Sequence, residues 1–210
     1  MTTSSTYSKV MTAKDAVQKF VFNGAKIGMG AKSIGRCSMV LAHEILRQGQ
    51  NNLSLYGCNL SFSSDMLIAN GQVNRCECGT GNMERSGVAF NWRRAVESGQ
   101  LEVDDYSHLG MVTRFLAGSL GLPFMPIKSL LGSDILSVKT RRAEKIFELL
   151  DNPWNPGEPV VLLPALTPDV TIMHTQKADE MGNVVLEGFA TGDHEMAKAS
   201  KALLVSCEEI

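Results

Sequence analysis

Short apolar runs alternate with amphipathic, helix-periodic segments along almost the whole chain, and the linkers between them are brief. "KIGMG", "NLSLYG", "QVNRCECG", "LEV" and "LPFMPI" each read as a strand. "MTAKDAVQKFVFNG", "SMVLAHEILRQG", "SDMLIANGQ", "GVAFNWRRAVESG" and "HLGMVTRFLAGSLG" read as the helices between them. Two consecutive parallel strands need a long crossover, and a helix supplies it. The alternation therefore predicts an open three-layer α/β/α fold around a mainly parallel sheet.

Local signals sharpen this reading. Thr12 stands as a helix N-cap, with Asp15 in the capping-box place, and Ala16, Val17, Phe20 and Val21 form one apolar stripe. Gly49 closes the second helix, and Ser64 is read as the cap of the third. Residues 1–11 are expected to be a flexible tail and 12–210 one domain, a size ample for a core. Residues 128–157 change texture. "KTRRAEKIFELLD" followed by "NPWNPGEP" reads as a surface excursion closed by a proline-rich turn. "PVVLLPAL", "DVTIMHTQKAD" and "NVVLEG" follow as strands, and "DHEMAKASKALLVSCEEI" as a helix feeding a last strand.

Composition narrows the function classes. A net charge of −2 argues for neither a nucleic-acid nor an anionic-membrane surface. No apolar run approaches the ~18 residues that span a bilayer. Five scattered cysteines form no disulfide framework, which points to a reducing cytoplasm. Cys76 and Cys78 supply half a zinc site at most, so no metal is expected. In a strand they face one side, as a reduced pair lining a core, while Glu77 faces the other.

In a parallel α/β sheet, ligands sit beyond the carboxyl ends of the strands. The loops after Gly30, Gly57, Gly79 and Val103 are therefore the candidates. "GMGAKSIGRCS" matches neither a dinucleotide fingerprint nor a phosphate-binding loop, and it reads equally as a tight strand-to-helix turn. Within it, the glycines such as Gly28 and Gly30 allow close backbone approach, and Lys32 and Arg36 can meet a phosphate or carboxylate. "GTGN" places Gly79 and Asn82 in a flexible loop at a strand end. In "VDDYSHLG", Ser107 and His108 stand at the mouth of a helix on the same edge. A neutral imidazole there can donate to a carbonyl oxygen or take a proton from water. His174 reads as a hydrogen-bonded core residue, and Glu208 and Glu209, pointing to opposite faces of a strand, mark a sheet edge.

Taken together, "SKVMTAKDAVQKFVFNGAKIGMG", "HEILRQGQNNLSLYG", "DMLIANGQV", "ESGQLEVDDYS", "LGLPFMPI", "DNPWNPGEPVVLLPAL", "DVTIMHTQKADEMGNV" and "SKALLVSCEEI" resemble the A (alpha) half of family I coenzyme A transferases, in the glutaconate type. The resemblance implies a hetero-oligomer of alpha and beta halves, with no cofactor other than coenzyme A as substrate. The B (beta) partner would carry the nucleophilic glutamate in a Ser-Glu-Asn-Gly context, which this chain lacks. This chain would supply acyl-pocket and oxyanion-side contacts through Gly30, Ala31, Lys32, Arg36, Gly79, Asn82, Ser107 and His108. Two departures stand out. Gly30-Ala31-Lys32 replaces the family's Gly-Gly-Phe, with Ser38 at a proline place, and His108 occupies a position where transferases carry glutamine. Related alpha-like chains of ring-cleaving CoA-thioester hydrolases carry glutamate there. His108 is thus expected either to donate to the acyl group of a transferase or to act as the base of a CoA-thioester hydrolase or ring-opening enzyme. A non-catalytic sugar-phosphate or anion sensor of the same broad fold is the third reading. A neighbouring beta-like reading frame favours an enzyme, and a fused helix-turn-helix favours a sensor. Glutaconate-type alpha chains also continue beyond "CEEI", so the resemblance implies a truncated carboxyl-terminal part.

Overall fold

The structure, a computed structural model, describes residues 8–30, 34–137 and 145–210. The main sheet is built of β1 (Lys26–Met29), β2 (Leu53–Leu60), β3 (Val73–Gly81), β4 (Glu102–Asp105), β8 (Val170–Ala178), β9 (Val184–Val185) and β10 (Ala202–Glu209). Its order is β10-β8-β1-β2-β3-β4, and every pairing along that path is parallel. The short β9 runs antiparallel, against the end of β8. The mainly parallel α/β sheet expected from the alternation is thus present.

Helices α1 (Ala13–Phe20), α2 (Met39–Gln48), α3 (Phe62–Ala69) and α4 (Phe90–Glu97) cover one face. Their inward stripes, with Val17, Leu41, Ile45 and Leu67, pack on Ile27, Leu55, Cys76 and Cys78 of the sheet. The helix ends show why they start and stop where they do. Thr12 Oγ1 accepts the Asp15 N–H at 3.1 Å, and Gly49 closes α2 in the left-handed region at φ 75°. The cap of α3 is Ser61, not Ser64. The helix begins earlier than expected, and Ser64 lies buried inside it.

The other face carries α5 (His108–Ser119), α6 (Asp193–Ala199) and a second sheet. That sheet joins β5 (Phe124–Ile127), β7 (Pro159–Pro164) and β6 (Glu148–Asp151), all antiparallel, in the order β5-β7-β6. "LPFMPI" and "PVVLLPAL" therefore leave the main sheet. Met111 and Phe115 of α5 and Met196 of α6 form a second core with Val161 and Leu163 of β7. Leu130 and Ile146, from the segment read as a surface excursion, are buried in that core.

Alternation along β3 feeds both layers. Cys76 and Cys78 face α1–α4, whereas Arg75, Glu77 and Gly79 face α5. Under α5 the chain gathers four charges, of which Glu77, Asp104 and Arg114 are buried and Arg75 partly so. Arg114 Nη1 meets Glu77 Oε2 at 2.5 Å, Arg75 bonds Glu77, and Arg75 Nη2 reaches Asp104 Oδ2 at 3.2 Å. Arg114 also donates through Nε to the Pro164 carbonyl at 3.0 Å and stacks over Tyr106 at 4.3 Å. Two cations and two carboxylates cancel, so the group tolerates its burial. Burial and then the Glu77 charge push the Asp104 carboxyl above its usual range. Among the described residues, no helix is long and apolar enough to cross a membrane.

Candidate functional site

The chain leaves β1 toward β2 on one side, while β8 joins β1 on the other. That reversal is a topological switch point, where the flanking loops diverge and leave a crevice at the strands' carboxyl ends. A cleft of about 450 Å³ lies there, lined by Ile34, Arg36, Cys37 and Met39 after β1, Phe62 after β2, His174 and Gln176 on β8, and Glu208 on β10. Ile34, Met39 and Phe62 make it apolar on one side. His174, Gln176 and Glu208 make it polar on the other. This combination of an apolar wall and a few polar groups suits a small organic ligand.

His174 reads from sequence as a core residue, yet it borders this cleft. Its ring is half-buried, with Nδ1 3.0 Å from Ser206 Oγ and Nε2 3.5 Å from Glu208 Oε1. Ser206 stands directly opposite it in the β8–β10 register. Ser38, at the start of α2, donates to the Met173 carbonyl at 3.1 Å and lies 3.4 Å from Ser206 Oγ. The small serine thus ties the β1 loop to β8. Periodicity identifies β8 as a strand but carries no signal for its position beside β1, which is what opens His174 to the cleft.

The loop after β1 begins at Gly30, where a Cβ would fall 2.4 Å from Met173 Cγ and 3.1 Å from the Ile172 carbonyl oxygen. Only glycine fits that approach. Ala31 and Lys32 lie outside the described residues. The Arg36 guanidinium does meet a carboxylate, but the protein's own: Nη2 lies 3.1 Å from Asp193 Oδ2 and donates to the Phe189 carbonyl at 2.8 Å.

His108 lies at the same edge, at the end of β3 and β4. It is the first residue of α5 and is exposed. Ser107 caps the helix, accepting the Gly110 N–H at 2.9 Å and pairing with Ser129 Oγ at 2.8 Å. Gly79 makes room for this turn. A Cβ there would fall 3.0 Å from His108 N and 3.1 Å from His108 Nδ1. The flexible loop expected at Gly79 and Asn82 is instead ordered strand and turn. β3 runs on to Gly81, pairing with β2 as far as Leu60. Asn82 closes a turn: its side-chain oxygen accepts from Asn59 Nδ2 at 3.3 Å and from the Glu84 N–H at 3.1 Å. The structure therefore joins Gly79 to His108 and Arg36 to the His174 cleft, as two parts of one sheet edge.

The cysteines divide sharply. Cys58, Cys76 and Cys78 are buried, and burial pushes the Cys58 thiol up to about 12 and the other two thiols upward as well. Cys37 and Cys207 are partly exposed. Iodoacetamide near neutral pH is expected to modify Cys37 and Cys207 and to spare the other three until the protein unfolds. Peptide mapping checks this, and early labelling of Cys76 or Cys78 would contradict the packing described.

A mainly parallel sheet flanked by helices, with a cleft at its switch point, defines the α/β class of fold. Residues 10–210 match the coenzyme A transferase family, and the chain belongs to it. It is similar to the A-type chain of glutaconate CoA-transferase from Acidaminococcus fermentans, 37% identical over 97% of this chain and 67% of that protein. The crystal structure of that enzyme superposes with a TM-score of 0.89 at 36% identity, covering 97% of this chain and 68% of that one. The A-type chain of 3-oxoadipate CoA-transferase from Pseudomonas knackmussii is 32% identical over 97% of this chain and 71% of its own length. A cholesterol ring-cleaving hydrolase subunit of Rhodococcus jostii is 26% identical over 86% of this chain and 60% of its own. The chain thus spans about two thirds of the length of these three relatives.

Proposed function

We propose that the chain is the alpha component of a heteromeric CoA transferase that moves CoA between an acyl-CoA thioester and a carboxylic acid. The observation that carries this reading is family membership across residues 10–210. The cleft at the switch point supports it by offering an acyl chain the apolar wall of Ile34, Met39 and Phe62.

In this reading the nucleophile is a glutamate of the beta partner. Its carboxylate attacks the thioester carbon, the C–S bond breaks, and a mixed anhydride forms as CoA thiolate leaves. The thiolate then attacks the glutamyl carbonyl, releasing the acid and leaving an enzyme-bound CoA thioester. An acceptor carboxylate runs the steps in reverse. Splitting the exchange this way keeps the thioester's energy from water. Each attack builds negative charge on a carbonyl oxygen, and His108, exposed at the sheet edge, donates a hydrogen bond to it in this reading.

Thioester hydrolysis is the second reading, favoured by that same exposed imidazole, which can reach water and take its proton. His108→Gln separates the two. Glutamine donates a hydrogen bond but is no base. A transferase is expected to keep kcat within about fivefold of wild type, whereas a hydrolase is expected to lose about 10²-fold or more. Because His108 is exposed, thermal unfolding should move little, so steady-state kinetics decide the question. Full retention of a hydrolase activity in this variant would show that His108 is not its base.

A further inference from the structure

Arg36 adopts φ 57°, a left-handed conformation that L side chains rarely take. Its side chain explains what holds it there. The side chain is only 8% exposed, and its guanidinium reaches across the chain to Asp193, whose side chain is 1% exposed, on α6. Nη1 lies 3.4 Å from Oδ1 and Nη2 3.1 Å from Oδ2, and Nη2 also donates to the Phe189 carbonyl at 2.8 Å. Asp193 Oδ2 in turn accepts the Thr191 N–H at 3.0 Å. Both charges are therefore buried, paired and hydrogen-bonded further. Removing one of them strands the other away from bulk water. A guanidinium so occupied has little left to offer an anionic ligand. Ile34, Cys37 and Met39 line the cleft together with Arg36 itself, so the anchoring of Arg36 sets where they stand.

We propose that Arg36 and Asp193 form a latch that positions the cleft wall, and that Arg36 acts as a positioning residue, not as an anion ligand. The latch rests on the transferase reading only in taking the cleft as the acyl site. Its geometric effect stands apart from that reading. With the pair intact, residues 34–39 keep one path over the β1 end. With it broken, Arg36 loses the bonds that offset its backbone strain, and the wall shifts.

The test uses the assembled complex, with Arg36→Met, Asp193→Asn, the double variant and Arg36→Lys. In the single variants, KM for the acyl-CoA is expected to rise about tenfold while kcat changes less. Cys37 should react with iodoacetamide several-fold faster, as read by peptide mass spectrometry. The double variant should be no worse than the worse single variant, since both singles break one interaction. Arg36→Lys, which keeps the charge but not the fork, should recover part of the KM and of the Cys37 protection. Asp193→Asn keeps the side chain's shape and carries the test if Arg36→Met does not fold. Unchanged KM and unchanged Cys37 reactivity in folded variants would overturn the latch. A wild-type complex without transferase activity whose Cys37 still responds would overturn the function and leave the latch standing.

Discussion

Arg114→Met is expected to lower the stability of the chain by about 3–5 kcal/mol, the range for breaking a buried ion pair by removing one of its members. Arg114 is buried and bonds Glu77 at 2.5 Å, the Pro164 carbonyl at 3.0 Å and the face of Tyr106. Methionine keeps most of the stem but none of the donors. Glu77 then retains Arg75, which it shares with Asp104. Denaturant unfolding measures the loss. Adding Glu77→Gln to the same chain should restore part of it, because a neutral amide in that place no longer needs a cation. A single variant within about 0.5 kcal/mol of wild type would show that the buried charges do not hold α5 to β3.

The second large effect belongs to Gly79. A methyl group there would sit 2.8 Å from the Cys58 carbonyl oxygen and 3.0 Å from the His108 nitrogen. Both are backbone atoms, so Gly79→Ala forces β2 or the start of α5 to move. The strain is expected to cost about 1–3 kcal/mol. Because His108 shifts with the helix mouth, activity should fall further than stability explains, by up to about hundredfold. Thermal unfolding and kcat/KM measured on one preparation separate the two effects. An alanine variant with normal kcat/KM would mean that the seat of His108 does not matter to the reaction.

These two residues also show what sequence alone can and cannot reveal. The strand and helix alternation is legible because it is written in local periodicity and in caps such as Thr12 and Gly49. The sharing of strands between two sheets is not. "LPFMPI" and "PVVLLPAL" are apolar runs like those of the main sheet, and nothing local tells a parallel partner from an antiparallel one. The cap of α3 is hard to place because "SFSS" offers hydroxyls at neighbouring positions, and the choice of Ser61 depends on where β2 ends.

The candidate site is legible in its sheet edge more than in its contacts. Ser107 and His108 can be placed at a helix mouth from sequence, and they stand there. Arg36 reads as a loose loop cation because its partner, Asp193, comes 157 residues later. Gly79 looks like loop flexibility, although its role is to leave space for a helix from another part of the chain. His174 looks like core because a histidine within an apolar strand carries no mark of the strand's neighbours. In each case the missing information is which distant segments the fold brings together.

Intact mass spectrometry tests most directly whether this chain supports an acyl exchange whose covalent step occurs on its partner. The chain is co-purified with the beta-type chain proposed as its partner and incubated with a panel of acyl-CoA thioesters. A CoA-sized adduct on the partner, and none on this chain, is the expected result. Free CoA and free acid accumulating without any adduct would contradict the transferase reading and favour the hydrolase one.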